Sequence, residues 1–99
     1  MQYIYFIRSP KENFAETMTA EEAEIMGVHF EYLKKQMDCG RLILAGPETS
    51  GKFGICILNA SSEDEAHEIM MNDPAVKSGI VKPELYPFRV SLINSSNIK

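Results

Sequence analysis

Two ionisable residues in this 99-residue chain have types and settings suited to proton transfer. One is His29, in "MGVHFEYLKK", residues 26–35. The other is Asp73, in "NDPAV". A carboxylate that accepts one imidazole N–H fixes the tautomer, raises the basicity of the ring and stabilises the imidazolium that forms. Such a pair is a general base with its orienter. The plainer roles are commoner. A histidine on a helix flank usually packs or meets water, and an aspartate before proline usually accepts backbone N–H groups in a turn. Residue pattern carries no distances, so by itself it favours the plainer role for each.

The other candidates are weaker. Cys39 and Cys56 are isolated, with no CxxC, and read as reduced thiols. Two histidines and two scattered cysteines give no metal-ligand spacing, so no metal site is expected. His67 falls toward the polar side of its helix and reads as solvated. The segment "AGPETSGKF" has the spacing of a phosphate loop, but Phe53 stands where Ser or Thr should be. "KFGICIL" lacks the second aromatic of an RNA-recognition strand.

The elements that must position His29 and Asp73 follow from periodicity. "QYIYFIR", residues 2–8, is rich in β-branched and aromatic residues and reads as a strand, which "SPKENF" breaks. Thr19, with Glu22 three residues on, has the spacing of a capping box. Met26, Phe30, Leu33 and Met37 then form one helical stripe, which Gly40 ends. At ~100° per residue, His29 lies roughly 60° from the stripe centre, on its flank. Residues 41–47 and 53–60 read as two strands joined by a short glycine-containing loop. Ser62 and Glu65 start a second helix, with Ala66, Ile69 and Met70 on one face. If its last turn holds, Asp73 points toward the sheet from that same face. Residues 80–92 are the last strand, bent or at an edge because of Pro83 and Pro87.

The order β-α-β-β-α-β is that of a ferredoxin-like α+β fold, an antiparallel four-stranded sheet with both helices on one face. Residues 1–93 are expected to form one domain and 94–99 a frayed tail. Tyr3, Tyr5 and Ile7 alternate with Ile4 and Phe6, so both faces of the sheet are apolar. A sheet wet on one side should alternate apolar with polar instead. The helices cover one face, and a second copy of the chain is the simplest cover for the other. A homodimer through the sheet face is therefore expected.

Composition sets the outer bounds. The chain is 44% hydrophobic and 24% charged, ordinary for a globular protein. A net charge of −4 argues against nucleic acid and against an anionic membrane surface. No secretory leader pattern and no membrane-length apolar run is legible, so the cytoplasm is the expected compartment.

Taken together, the segments "YIYFIR", "HFEYLKKQMDCGRLILAGP", "GKFGICILNASSEDEA" and "NDPAVKSGIVKPELYPF" resemble the YCII-related family of the dimeric α+β barrel superfamily. The resemblance spans roughly residues 1–92, and the order and spacing of its segments carry it rather than any one motif. It implies a homodimer and a pocket containing His29 and Asp73, which reverses the preference for the plainer roles. It also implies lyase or isomerase chemistry on a small acid, aromatic ones included. One relative eliminates HCl from a chlorinated aromatic with such a His–Asp pair as base, and most relatives have no assigned reaction. On this reading no cofactor is expected. Gly46, Pro47 and Gly54 would shape the pocket for a small-molecule ligand. Arg8 would hold an anionic group, or else be an ordinary strand-end charge. Some relatives carry a longer loop between the second and third strands than this chain does. The alternative is a non-catalytic binding or accessory module in which His29 and Asp73 form only a structural bond.

Overall fold

Residues 2–8 alternate between two environments. Tyr3, Tyr5 and Ile7 are buried, whereas Ile4 and Phe6 are only partly covered. This strand, β1 (Gln2–Arg8), lies inside the sheet, and the computed structural model describes residues 1–94 around it. The rest of the expected tail, 95–99, lies outside the described residues.

Three further strands, β2 (Leu42–Pro47), β3 (Phe53–Asn59) and β4 (Lys82–Phe88), complete the order β2-β3-β1-β4 with every pair antiparallel. Tyr5 pairs with Cys56 on one side and Leu85 on the other, so these three share a face. The last strand is shorter than the expected 80–92 and sits at an edge. Its prolines demand that place: Pro83 and Pro87 have the same parity, so both missing N–H groups fall on one side, and an edge has one side free.

The long helix, α2 (Ala20–Asp38), starts and stops as its sequence specifies. Thr19 Oγ1 accepts from Glu22 N, and the Glu22 carboxylate accepts from Thr19 N. At the far end Gly40, at φ 83°, donates to Met37 O while Arg41 donates to Gln36 O, a Schellman closure. Its inward face is not the expected stripe. Phe30 and Met37 are 61% and 53% exposed, whereas His29 and Leu33 are buried. The less exposed residues Ile25, Met26, Tyr32 and Gln36 flank His29 on both sides. The face is thus turned by ~60° from the hydrophobic stripe, and His29 is its centre rather than its flank.

The second helix, α3 (Glu63–Met71), is capped by Ser62 and buries Ala66, Ile69 and Met70. It stops before Asp73. Pro74 disfavours helical backbone in the residue before it, and Asp73 is extended at φ −60°, ψ 125°. The chain restarts there as a short helix, α4 (Pro74–Lys77), with Asp73 as its N-cap. The last turn expected of the second helix does not form, so Asp73 turns inward from a helix break rather than from a helix face. A further one-turn helix, α1 (Phe14–Thr17), occupies part of the segment read as a break, and it buries Phe14.

A register shift between Leu42 and Leu44 interrupts the β2–β3 pairing. Leu42 pairs with Leu58 on the helix side. After the shift Leu44 pairs with Ile57 on the outer side, and Ala45 pairs with Cys56 on the helix side. One extra residue exchanges the faces of all that follow. Without it the bulk of Leu44 would stand where Ala45 now leaves space.

Candidate active site

The elements converge on one carboxylate. Asp73 is 0% exposed, and its oxygens meet three donors. Oδ1 accepts from the Ala75 N–H of α4 at 3.0 Å and lies 2.6 Å from His29 Nδ1 of α2. Oδ2 accepts from the Tyr5 hydroxyl of β1 at 2.7 Å. A carboxylate so surrounded is an acceptor, which assigns the proton of the imidazole to Nδ1. In a neutral imidazole with that tautomer the lone pair falls on Nε2.

That nitrogen belongs to a ring lining a cavity of about 390 Å³ between α2 and the β2–β3 side of the sheet. This size suits a small organic molecule. The walls are mostly apolar, with Ile7, Met26, Leu33 and Leu42 among them, and Phe14 of α1 joins them. His29 is 8% exposed, so the ring is shielded yet reachable. Chemically, a carboxylate bonded to Nδ1 can orient an imidazole and stabilise its protonated form, which is what a general base requires.

Both contacts weighed for Asp73 occur together. The carboxylate makes the turn bond to Ala75 and the bond to His29 with the same oxygen. Sequence reasoning missed Tyr5, read only as a core residue. Burial, then the neighbouring charges of Cys56 and Asp73, push its phenol far above the ordinary range, so it stays a donor. The one available signal was the polar tip of a tyrosine on the inward parity of β1, since a buried hydroxyl needs a partner. Tyr32 Oη bonds to Ile69 O at 2.7 Å and ties α2 to α3 beside the site. Burial pushes the Cys56 thiol up to about 12, so it lines the cavity as a neutral group.

Gly46, Pro47 and Gly54 all border the cavity. A Cβ on Gly54 would stand 3.3 Å from Ile7 Cγ1, whereas one on Gly46 would meet nothing within 4 Å. The tightest glycine is another: a Cβ on Gly51 would lie 2.6 Å from Ala15 N, and the residue has φ +82°. The Ser9 hydroxyl bonds to Gly51 O and closes that corner.

Arg8 is elsewhere. It follows Ile7 and therefore faces the outer side of the sheet. There its Nε lies 2.7 Å from Glu84 Oε1, and its guanidinium stacks 5.2 Å from the Phe6 ring and 5.5 Å from the Phe53 ring. This placement does not bring Arg8 to the cavity, and the expected hold on a bound anion finds no support in it. The strand-end alternative fits the position. His67 is exposed, as read. Among the described residues no group of three or more His, Cys, Asp or Glu is placed to hold a metal ion. Among them, too, no helix is long and apolar enough to cross a membrane.

The model of the YCII-related domain matches residues 1–89. The chain belongs to the YCII-related family. No curated protein matches this YCII-related chain in sequence. Among solved structures it is similar to the 5-chloro-2-hydroxyhydroquinone dehydrochlorinase of Burkholderia phenoliruptrix AC1100, solved in complex with 2,5-dihydroxybenzoquinone. The TM-score is 0.68 at 18% identity, over 90% of this chain and 94% of that one. At that identity the likeness concerns the fold, a four-stranded antiparallel sheet with helices.

Proposed function

We propose that this YCII-related protein is an enzyme that moves a proton on a small molecule held in the His29 cavity, by lyase or isomerase chemistry. One observation carries the reading: all three donors around Asp73 are committed to it, which leaves His29 Nε2 as the free basic atom at an apolar cavity. His29 abstracts the proton and becomes an imidazolium, which the Asp73 carboxylate stabilises across the 2.6 Å bond. Gly54 and Pro47 shape the wall against the ligand. The similarity in fold to a dehydrochlorinase supports elimination from a small ring as the first reaction to try.

The direct test is to supply 5-chloro-2-hydroxyhydroquinone and related halogenated phenols and to record chloride release. In parallel, deuterium uptake from D₂O is followed at acidic C–H positions of small cyclic acids. Turnover by the intact protein, reduced ~10²–10⁴-fold in His29→Ala, is the expected result. Full activity in His29→Ala would overturn the assignment.

A second reading is favoured by the same hydrogen bonds, because they tie β1, α2 and α4 together as a structural strut would. As a non-catalytic module the protein would lose stability, not turnover, on His29→Ala.

The partner belongs to the proposal too. Ile4, Phe6, Phe53 and Ile55 lie on the sheet face away from the helices and are only partly covered, with Tyr86 and Phe88 exposed at the edge. A second copy docked on this face, in the cytoplasm, is the assembly we infer.

A further inference from the structure

The cavity that holds His29 has four polar side chains, Ser9, His29, Lys34 and Cys56, and two of them are already engaged. The Ser9 hydroxyl bonds to Gly51 O. The Cys56 thiol, cross-strand partner of Tyr5, is held neutral by burial. Of the lining side chains, His29 and Lys34 are the two that carry nitrogen.

Lys34 is the charged residue of the lining. It stands on α2 five positions beyond His29, so the two are separated by ~7.5 Å along the helix axis. Its stem runs with the exposed ring of Phe30, over which the ammonium stands 5.7 Å from the centroid. Its partner is Glu31 at 3.7 Å, a loose pair between two side chains that are both more than half exposed. Such a pair holds the ammonium weakly. Phe30 and Met37 beside it are the exposed apolar residues that the helix pattern placed inward, and both border the cavity.

Building on the proposed function, we infer that its small cyclic ligand binds as an organic anion. Its ring lies among the apolar walls, its acidic edge faces His29 Nε2, and its carboxylate or other oxyanion is held at the mouth by Lys34. Lys34 thereby takes the anion-holding part that Arg8, on the other sheet face, is not placed to play. The walls supply affinity for any ring of this size, and Lys34 supplies the choice of charge.

A matched pair of probes separates these terms. 4-Hydroxybenzoate and 4-hydroxybenzamide share size and phenol and differ in charge. Each is titrated into the intact protein, into Lys34→Met, which keeps the apolar stem, and into Lys34→Arg. The readouts are affinity by calorimetry and the imidazole NMR signals of His29, with exposed His67 as the internal control. The intact protein should bind the benzoate about fivefold tighter than the amide, in line with a partly exposed ion pair. Lys34→Met should bring the benzoate down to the amide, Lys34→Arg should keep the preference, and only His29 should shift. Equal affinities in the intact protein, or a preference that survives Lys34→Met, would overturn the role of Lys34 while leaving the cavity reading in place. If neither probe moves the His29 signals, the cavity reading falls, and this inference with it.

Discussion

Tyr5 and His29 share one carboxylate. The tyrosine hydroxyl bonds to Asp73 Oδ2 at 2.7 Å and the imidazole to Oδ1 at 2.6 Å, although the two residues come from different elements on either side of it. Removing the hydroxyl therefore leaves a lone pair of a fully buried group unsatisfied. Tyr5→Phe should cost roughly 1–3 kcal/mol. At ~4–8 °C per kcal/mol for a domain this size, calorimetry should show the loss clearly. An unchanged melting temperature would mean that the Tyr5 bond is not formed in solution.

His29 and Asp73 should separate in their effects. Asp73→Ala removes the acceptor of three bonds and the N-cap of α4, which alone is worth ~0.5–2 kcal/mol. It should destabilise the chain more than His29→Ala does. His29→Ala should act mainly on turnover, by ~10²–10⁴-fold. The reverse ranking, a large thermal loss in His29→Ala with ligand binding intact, would favour the structural strut.

Alkali should weaken the fold before acid chemistry at Cys56 begins. The Cys56 thiol is raised from 9.0 to about 12, and Tyr32 from 10.0 to about 12, both by burial first. The unfolded chain gives up these protons at lower pH than the folded one, so stability falls as pH rises between the two values. The melting temperature should be level up to about pH 9 and decline above it. In the same samples iodoacetamide at pH 8 should label exposed Cys39 and spare Cys56 until denaturant is added. Equal labelling of both thiols in the native protein would contradict the burial.

The cavity glycines should not be equivalent. Gly51→Ala places a Cβ 2.6 Å from backbone nitrogen at φ +82°, so it should destabilise well beyond the ~1 kcal/mol of an ordinary Gly-to-Ala change. Gly46→Ala meets open space and should be close to neutral. Melting curves of the two variants, run together, check the contrast.

Assembly has its own test. Phe6→Glu puts a charge in the middle of the partly covered sheet face, at a residue that does not itself line the His29 cavity. Sedimentation should show the intact protein as a dimer and this variant as a monomer. A monomeric intact protein would remove the second copy from the proposal.

Much of this was readable from local chemistry. The caps at Thr19 and Ser62, the closure at Gly40 and the prolines of the edge strand act within a few residues, so neighbours in sequence suffice to specify them. Alternation in β1 gave both apolar faces, and the same parity placed Arg8 outside, though its charge at a strand end suggested a ligand. The hydrophobic stripe of α2 pointed ~60° away from the buried face, because Phe30 and Met37 border a cavity instead of filling a core.

What the sequence by itself determined was the order of the strands and the two longer helices, two residues whose types suit proton transfer, and the resemblance to the family. What only the tertiary structure decided was how they meet. Pro74 broke the helix and turned Asp73 inward, an extra residue near Leu42 put Ala45 where a leucine would have filled the cavity, and Tyr5 arrived from a strand 68 positions away. Those outcomes depend on chain crossing and strand register. Both are set by how distant segments share one core, and no local pattern encodes them.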